Sequence, residues 1–358
     1  MSHGLAIPPQ GAIDLLSLGA LVHRIDPGII PFRKATEAKI HVSGGEFNVA
    51  ANISDCFGLR TAIASAMVNY PIGDLIDERV RAMGVRPIYR TFEHDGVHGP
   101  NMATVFSDRG FGVRGPIVFY NRANEAAALL KPGDFDWPAI FSGGVRWFHS
   151  GGIFASLSHS AADLTIEAMQ AARKAGAIVS FDLNYREKLW KNNGGTAKAR
   201  EVFSDIIGYA DVIIGVDDML FPENGKNSNT EHGNEALIEL IHRTAEHFPH
   251  IQAIAATYRE VHSANHHTWR ALAWIQAQTS QLIQTPEMEL DIYDRVGSGD
   301  GFAAGFIYGL LNGESAEQAL RLGWAHGALL TTFPGDTTMA TLDQVRALAA
   351  GGTARIQR

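Results

Sequence analysis

The run Asp294-Arg295-Val296-Gly297-Ser298-Gly299-Asp300 puts an anion cradle next to a carboxylate. Gly297 and Gly299 let backbone N–H groups crowd round a negative charge. The apolar helix that follows, residues 302–311, adds the partial positive charge of its N-terminus at the same place. Asp300 stands where that helix begins, placed to take a proton from a hydroxyl. The N–H groups of Gly297, Ser298 and Gly299 would stabilise charge on a transferring group. A cradle and a base side by side are what phosphoryl transfer to an alcohol needs. The competing reading is a plain glycine turn with Asp300 as the helix N-cap. No Gly-Lys-Ser/Thr follows, which excludes a Walker loop, and no ribose-binding acid follows at the spacing of a dinucleotide fingerprint.

The elements around the turn alternate. Strand-like runs at 15–22, 61–66, 147–149, 177–181, 211–215 and 253–256 alternate with helical ones at 48–57, 74–83, 161–175, 197–209 and 235–247. This order predicts an α/β fold, a three-layer α/β/α arrangement around a mostly parallel sheet. Ligands bind beyond the carboxyl ends of such strands. Asp182, Gly215, Thr257 and the turn before Asp300 all fall there. Between 91 and 120 the segments become short, glycine-rich and aromatic, which suits an antiparallel lid. The expected organisation is one domain over 12–350 with lid segments at about 20–43 and 91–122.

Of the 358 residues 46% are hydrophobic, enough for a sizeable core. The net charge of -8 argues against nucleic acid and anionic membranes as partners, so an anionic substrate needs local arginines. A single cysteine, Cys56, permits no intramolecular disulfide and reads as a small buried residue. With neither a signal peptide nor a membrane-spanning run in view, the expected location is the cytoplasm. His262, His266 and His267 lack zinc-site spacing and read as an exposed loop.

Three motifs in this order carry a resemblance. Asp-x-x-Gly-x-Gly-Asp opening a late apolar helix resembles the C-terminal signature of the ribokinase-like (PfkB) carbohydrate kinases. Ser43-Gly44-Gly45-Glu46-Phe47-Asn48-Val49-Ala50 is similar to their N-terminal glycine and Asn-Val-Ala motif, with Ser43 replacing the commoner first glycine. Phe181-Asp182-Leu183-Asn184-Tyr185-Arg186, followed by Leu189-Trp190, resembles the Asp-x-Asn-x-Arg-x-x-Leu-Trp segment of 2-keto-3-deoxygluconate kinases and fructokinases. The resemblance runs from about residue 14 to about 340.

It implies an ATP- and Mg²⁺-dependent sugar kinase; the glycine-rich segments would then form a lid that excludes water, and because lids with exposed sheet faces often pair, a homodimer is expected. Gly44, Gly45 and Asn48 would hydrogen-bond sugar hydroxyls. Tyr120 and Arg122, in a Tyr-x-Arg segment like that of ketodeoxygluconate kinases, and Arg186 would face an acidic sugar, since a guanidinium fork pairs with a carboxylate. A neutral sugar such as fructose or ribose is the alternative substrate. Thr257, Arg259 and His326 are candidates for the nucleotide side. For Arg259 pairing with Glu260 is an equal reading, and for His326 a place in the core or pocket wall.

The resemblance also implies K⁺ at Asp294 and Val296; capping the turn is the other reading of Asp294. Relatives carry an Asn-x-x-Glu type segment after the strand at 211–215, where this chain has Val216 and Met219. Asp217 and Asp218 become the candidate carboxylates for Mg²⁺, an ion held largely through water. The departure leaves a catalytically weak binding protein as a rival reading.

Overall fold

The computed structural model describes residues 3–191, 193–221, 233–278 and 282–352. Among them the strands run, in chain order, β1 (Ile13–Leu18), β2 (Val22–Asp26), β3 (Lys39–Ser43), β4 (Thr61–Asn69), β5 (Val85–Glu93), β6 (Ala103–Ser107), β7 (Val118–Asn121), β8 (Val145–Gly151), β9 (Ile178–Asp182), β10 (Val212–Ile214), β11 (Ala253–Ser263), β12 (His266–Ile275), β13 (Leu282–Gln284) and β14 (Met288–Asp291).

The large sheet has the order β13-β12-β11-β10-β9-β8-β1-β4-β5, with β14 also paired to β12. From β5 to β11 every pairing is parallel, and β12 reverses direction. The central strands are apolar along their whole length because helices cover both faces: all six residues of β1 are buried. The helices Ser298–Leu311 and Ala316–Leu330 pack closely, since a Cβ at Gly305 would meet the Leu322 carbonyl at 2.7 Å.

The expected α/β fold with its parallel sheet and small second sheet is present. The small sheet has the order β3-β2-β6-β7. It departs from the expected antiparallel lid in one pairing, because β2 and β6 run parallel. Residues 85–93 also belong to the large sheet, paired along their length with β4; the glycine-rich stretch begins only after them. Along β2 the buried positions are Val22, Arg24 and Asp26, so the underside of the small sheet is charged.

Two local details differ from the sequence reading. The helix begins at Ser298 rather than 302, and Gly297 is its N-cap in the left-handed region (φ 83°). Asp300 therefore lies in the first turn and is not the cap. The three histidines sit in the β11–β12 hairpin, where His267 is buried rather than exposed. Cys56 is buried, and burial pushes its thiol up to about 12, so it is chemically quiet as expected.

Candidate active site

The carboxyl ends of β1, β8, β9 and β10, the start of the helix Gly45–Asp55, and the turn at 295–299 surround a cavity of about 560 Å³ roofed by β6 and β7. It collects Gly44, Gly45, Asn48, Tyr120, Arg122, Arg186, Thr257, Arg259, Gly297, Ser298, Gly299 and Asp300. Twelve positions spread over the chain thus meet in one place. Gly44, at φ 142°, sits so close to the Ala20 carbonyl that a Cβ would come within 2.0 Å of it. No larger residue keeps the helix Gly45–Asp55 at this distance from β1.

Asn48 Nδ2 donates to Asp300 Oδ2 at 2.7 Å, joining the early motif to the late one across the cavity. Burial raises the Asp300 pKa well above the ordinary carboxylate value; Asn48 opposes the shift, and the carboxylates of Asp182, Glu46 and Asp336 add to it. A carboxylate that holds its proton more tightly is the stronger base once ionised.

On the other side of Asp300 the anion turn meets two arginines, Arg295 within it and Arg259 from β11. Arg259 hydrogen-bonds Ser298 Oγ, and its guanidinium lies 5.2 Å from the Trp269 ring. Burial and then the charge of Arg295 pull Arg259 down to about 10, and burial lowers Arg295 as well. Neither makes an ion pair among the described residues, so Arg259 does not pair with Glu260. Two desolvated guanidiniums at an N-terminal helix turn call for a polyanion. Arg295 was missed as a site residue because nothing in its local sequence shows that it lacks a carboxylate.

The opposite end has a different charge balance. Arg122 lines the cavity, but its Nη1 donates to both Glu125 oxygens at 2.6 and 2.7 Å. It is therefore a partly neutralised group rather than a free fork. Arg186 lines the same space, donates to the Tyr185 carbonyl at 3.0 Å, and makes no ion pair among the described residues.

Asp182, expected at a ligand-binding strand end, and Glu46, read only as part of a motif, face this end. Burial raises Asp182 to about 6, against the field of Arg186. Burial, with Asp182 adding to it, raises Glu46 to about 7. Gly19 and Gly151 make room for the Glu46 carboxyl, since a Cβ on either would stand 2.2 or 2.8 Å from its oxygens.

Glu46 makes stability depend on pH. The unfolded side chain ionises near 4.5 and the folded one near 7, so between these values the folded state binds more protons. Stability from this group is then lost as pH rises through that window. We expect Glu46→Gln to stabilise the protein at pH 8 by on the order of 3 kcal/mol and to leave it unchanged below pH 4.5. Thermal melts at both pH values test this; equal shifts at the two would refute it.

Three other expected positions lie elsewhere. His326 is fully buried outside the cavity, with Nδ1 2.6 Å from the Gly301 carbonyl oxygen and its ring against Phe57. Burial lowers it to about 4, which makes it a neutral core group behind the helix. Asp217 accepts from Met219 N at 2.9 Å, capping a short 3-10 turn, and neither Asp217 nor Asp218 lines the main cavity. Met219 is buried in the core. No group of three metal-ligating side chains suited to an ion occurs among the described residues.

Asp294 is enclosed too. Arg24 Nη2 reaches its Oδ2 at 2.6 Å, Gly335 N donates to the same oxygen at 3.2 Å, and Val296 N donates to Oδ1 at 3.2 Å. The turn-capping reading of Asp294 is therefore realised. Arg24 already fills the place of a cation beside Asp294: at ~4 Å its charge would offset the carboxylate's attraction for a second cation by about 4 kcal/mol at an effective dielectric near 20.

Fold and site together define a ribokinase-like sugar kinase architecture. A sequence model of the pfkB family carbohydrate kinases matches residues 271–342. A 2-dehydro-3-deoxygalactonokinase from Haloferax volcanii is 27% identical over 346 residues, covering 96% of this chain and 99% of that protein. The crystal structure of 2-dehydro-3-deoxygluconokinase from Thermotoga maritima superposes with a TM-score of 0.85 at 27% identity, over 95% of this chain and 100% of that one. An Escherichia coli protein solved with ATP and Mg²⁺ shares the fold at 17% identity, with a TM-score of 0.74 over 95% of this chain and 99% of its own. In sequence over residues 271–342 and in fold over nearly its whole length, the chain is similar to pfkB family carbohydrate kinases. No helix among the described residues is long and apolar enough to cross a membrane.

Proposed function

We propose that this enzyme transfers the γ-phosphoryl group of ATP to the primary hydroxyl of 2-keto-3-deoxygluconate, giving the 6-phosphate. The observation that carries the reaction is the contact of Asn48 with Asp300 beside the 297–299 turn, which unites a hydroxyl-binding motif, a base and an anion cradle. In this reading Gly44, Gly45 and Asn48 hold sugar hydroxyls, and Asp300 takes the proton of the attacking one. The N–H groups of Gly297, Ser298 and Gly299 face the transferring phosphoryl, and Arg259 and Arg295 hold the triphosphate, with Thr257 on the nucleotide side.

Mg²⁺ supplies charge neutralisation when bound with the triphosphate. The Asp336 Oδ2 atom, buried and without a hydrogen-bond partner, is a better candidate than Asp217 or Asp218 to meet its water shell.

The acid is read from Arg186, the guanidinium at the sugar end that no carboxylate neutralises. Turnover of 2-keto-3-deoxygluconate with little on fructose or ribose, followed by ADP release, is the expected result. Arg186→Met should cut kcat/KM for the acid by about 10- to 100-fold, as loss of a charge-assisted hydrogen bond does, and spare any neutral sugar. Equal losses on acid and neutral sugars would sink the role of Arg186.

A second substrate reading is the C4 epimer, 2-keto-3-deoxygalactonate, favoured by the name of the Haloferax volcanii relative. Assaying both epimers in parallel separates the two. Exposed Ile40, Ile117 and Phe119 on and beside the small sheet are apolar side chains that a second copy would cover, and we read the enzyme as a cytoplasmic homodimer.

A further inference from the structure

We propose that the Arg24 guanidinium is a built-in cation that fixes the anion turn, so that phosphoryl transfer in this enzyme needs no potassium and Asp294 takes no metal ion. The effect on turnover rests on the phosphotransferase reading above; the claim about the ion does not.

Asp294 is the first residue of the turn. Both of its oxygens are already engaged, Oδ1 by Val296 N and Oδ2 by Gly335 N and Arg24 Nη2. The same guanidinium turns its Nε to Asp336 Oδ1 at 2.6 Å. One rigid fork therefore joins residue 294, at the head of the turn, to residue 336, in the loop packed against it. That packing is tight: a Cβ at Gly297 would lie 2.3 Å from the Asp336 carbonyl oxygen. Arg24 is fully buried, and a guanidinium does not lose its proton in a protein, so this positive charge is permanent.

Behind it Asp26 holds Arg109 at 2.5 Å, and Arg109 Nε comes within 3.7 Å of Asp294. An ion approaching Asp294 would meet two guanidiniums, with both Asp294 oxygens already accepting hydrogen bonds. Arg24 touches no reacting group in this scheme; it is a positioning residue, supplied to the turn by β2 of the small sheet.

The test uses the full-length protein, dialysed into choline chloride and compared with potassium chloride at equal ionic strength. We expect kcat to agree within about twofold between the salts. The melting temperature should be the same in both, and equilibrium dialysis should find no bound Rb⁺. Activation by K⁺ of about tenfold or more, or one Rb⁺ bound per chain, overturns the proposal.

Arg24→Met is the complementary variant. Because it leaves two buried carboxylates unpaired, Arg24→Met with Asp336→Asn is prepared beside it. In Arg24→Met kcat should fall by about tenfold or more in choline and recover in K⁺; in the double variant, which also removes the carboxylate read to meet Mg²⁺, one bound Rb⁺ and a K⁺-specific rise in melting temperature are the readouts. A loss that K⁺ does not restore makes Arg24 a structural residue only and overturns the built-in cation. Should no sugar be turned over in any salt, the phosphotransferase reading fails, while Rb⁺ binding and the melts still decide the fate of Arg24.

Discussion

Asp300→Asn should lower kcat by about 10²–10⁴-fold while the protein folds and still binds nucleotide and sugar. The substitution keeps the shape of the side chain and removes its capacity to accept a proton. The amide can still meet Asn48, through its oxygen, so the link between the two motifs survives. Removing a buried negative charge near Asp182, Glu46 and Asp336 should also ease their mutual repulsion, and stability at neutral pH should hold or rise. The wild-type acid limb of kcat/KM should stand well above the ordinary carboxylate range, because burial raises Asp300; rate falls on the acid side as the base becomes protonated. Rapid-quench measurement of phosphorylated sugar in a single turnover checks the chemical step directly. A variant that transfers phosphoryl at the wild-type rate would show that the hydroxyl proton leaves by another route, and Asp300 would revert to a structural acid beside Asn48.

Much of this centre was legible in the sequence because it is locally encoded. The turn, Asp300 and the Gly44-Gly45-Asn48 group each lie within a few residues, and strand–helix alternation sends their ends to one edge of a parallel sheet. What was hidden is long-range. Arg24 meets Asp336 and Asp294 across 312 and 270 positions, and no spacing rule connects a guanidinium on a lid strand to a turn near the C-terminus. Glu46 read as part of a motif, while its raised pKa depends on burial beside Asp182 that only the fold creates.

The engagement of Arg122 could have been seen, since Arg122 and Glu125 are three apart in a turn-forming stretch, a spacing at which a guanidinium reaches a carboxylate. Asp300 as N-cap failed for a local reason too. Gly297 adopts the left-handed conformation that starts the helix, which moves the cap three residues back.

The two glycines of the turn should separate its structural from its chemical role. A Cβ at Gly299 meets no protein atom within 4 Å, so it projects into the open cavity where the transferring phosphoryl group is read to sit. Gly299→Ala should therefore fold with an unchanged melting temperature, since alanine also favours the helical conformation found there. Its methyl group would push the phosphoryl away from the N–H donors, and kcat should fall by about 10²–10³-fold, the usual effect of losing such a donor. Gly297→Ala should behave differently. Its φ of 83° is strained for alanine, and its Cβ would stand 2.3 Å from the Asp336 carbonyl oxygen. The strain alone is roughly 1–2 kcal/mol. The clash would drive the turn from the loop that Arg24 ties to it, so stability and turnover should fall together. Melting curves and single-turnover rates on the two variants check the contrast. Retention of full activity by Gly299→Ala would place the phosphoryl group away from this turn and remove the anion cradle from the mechanism.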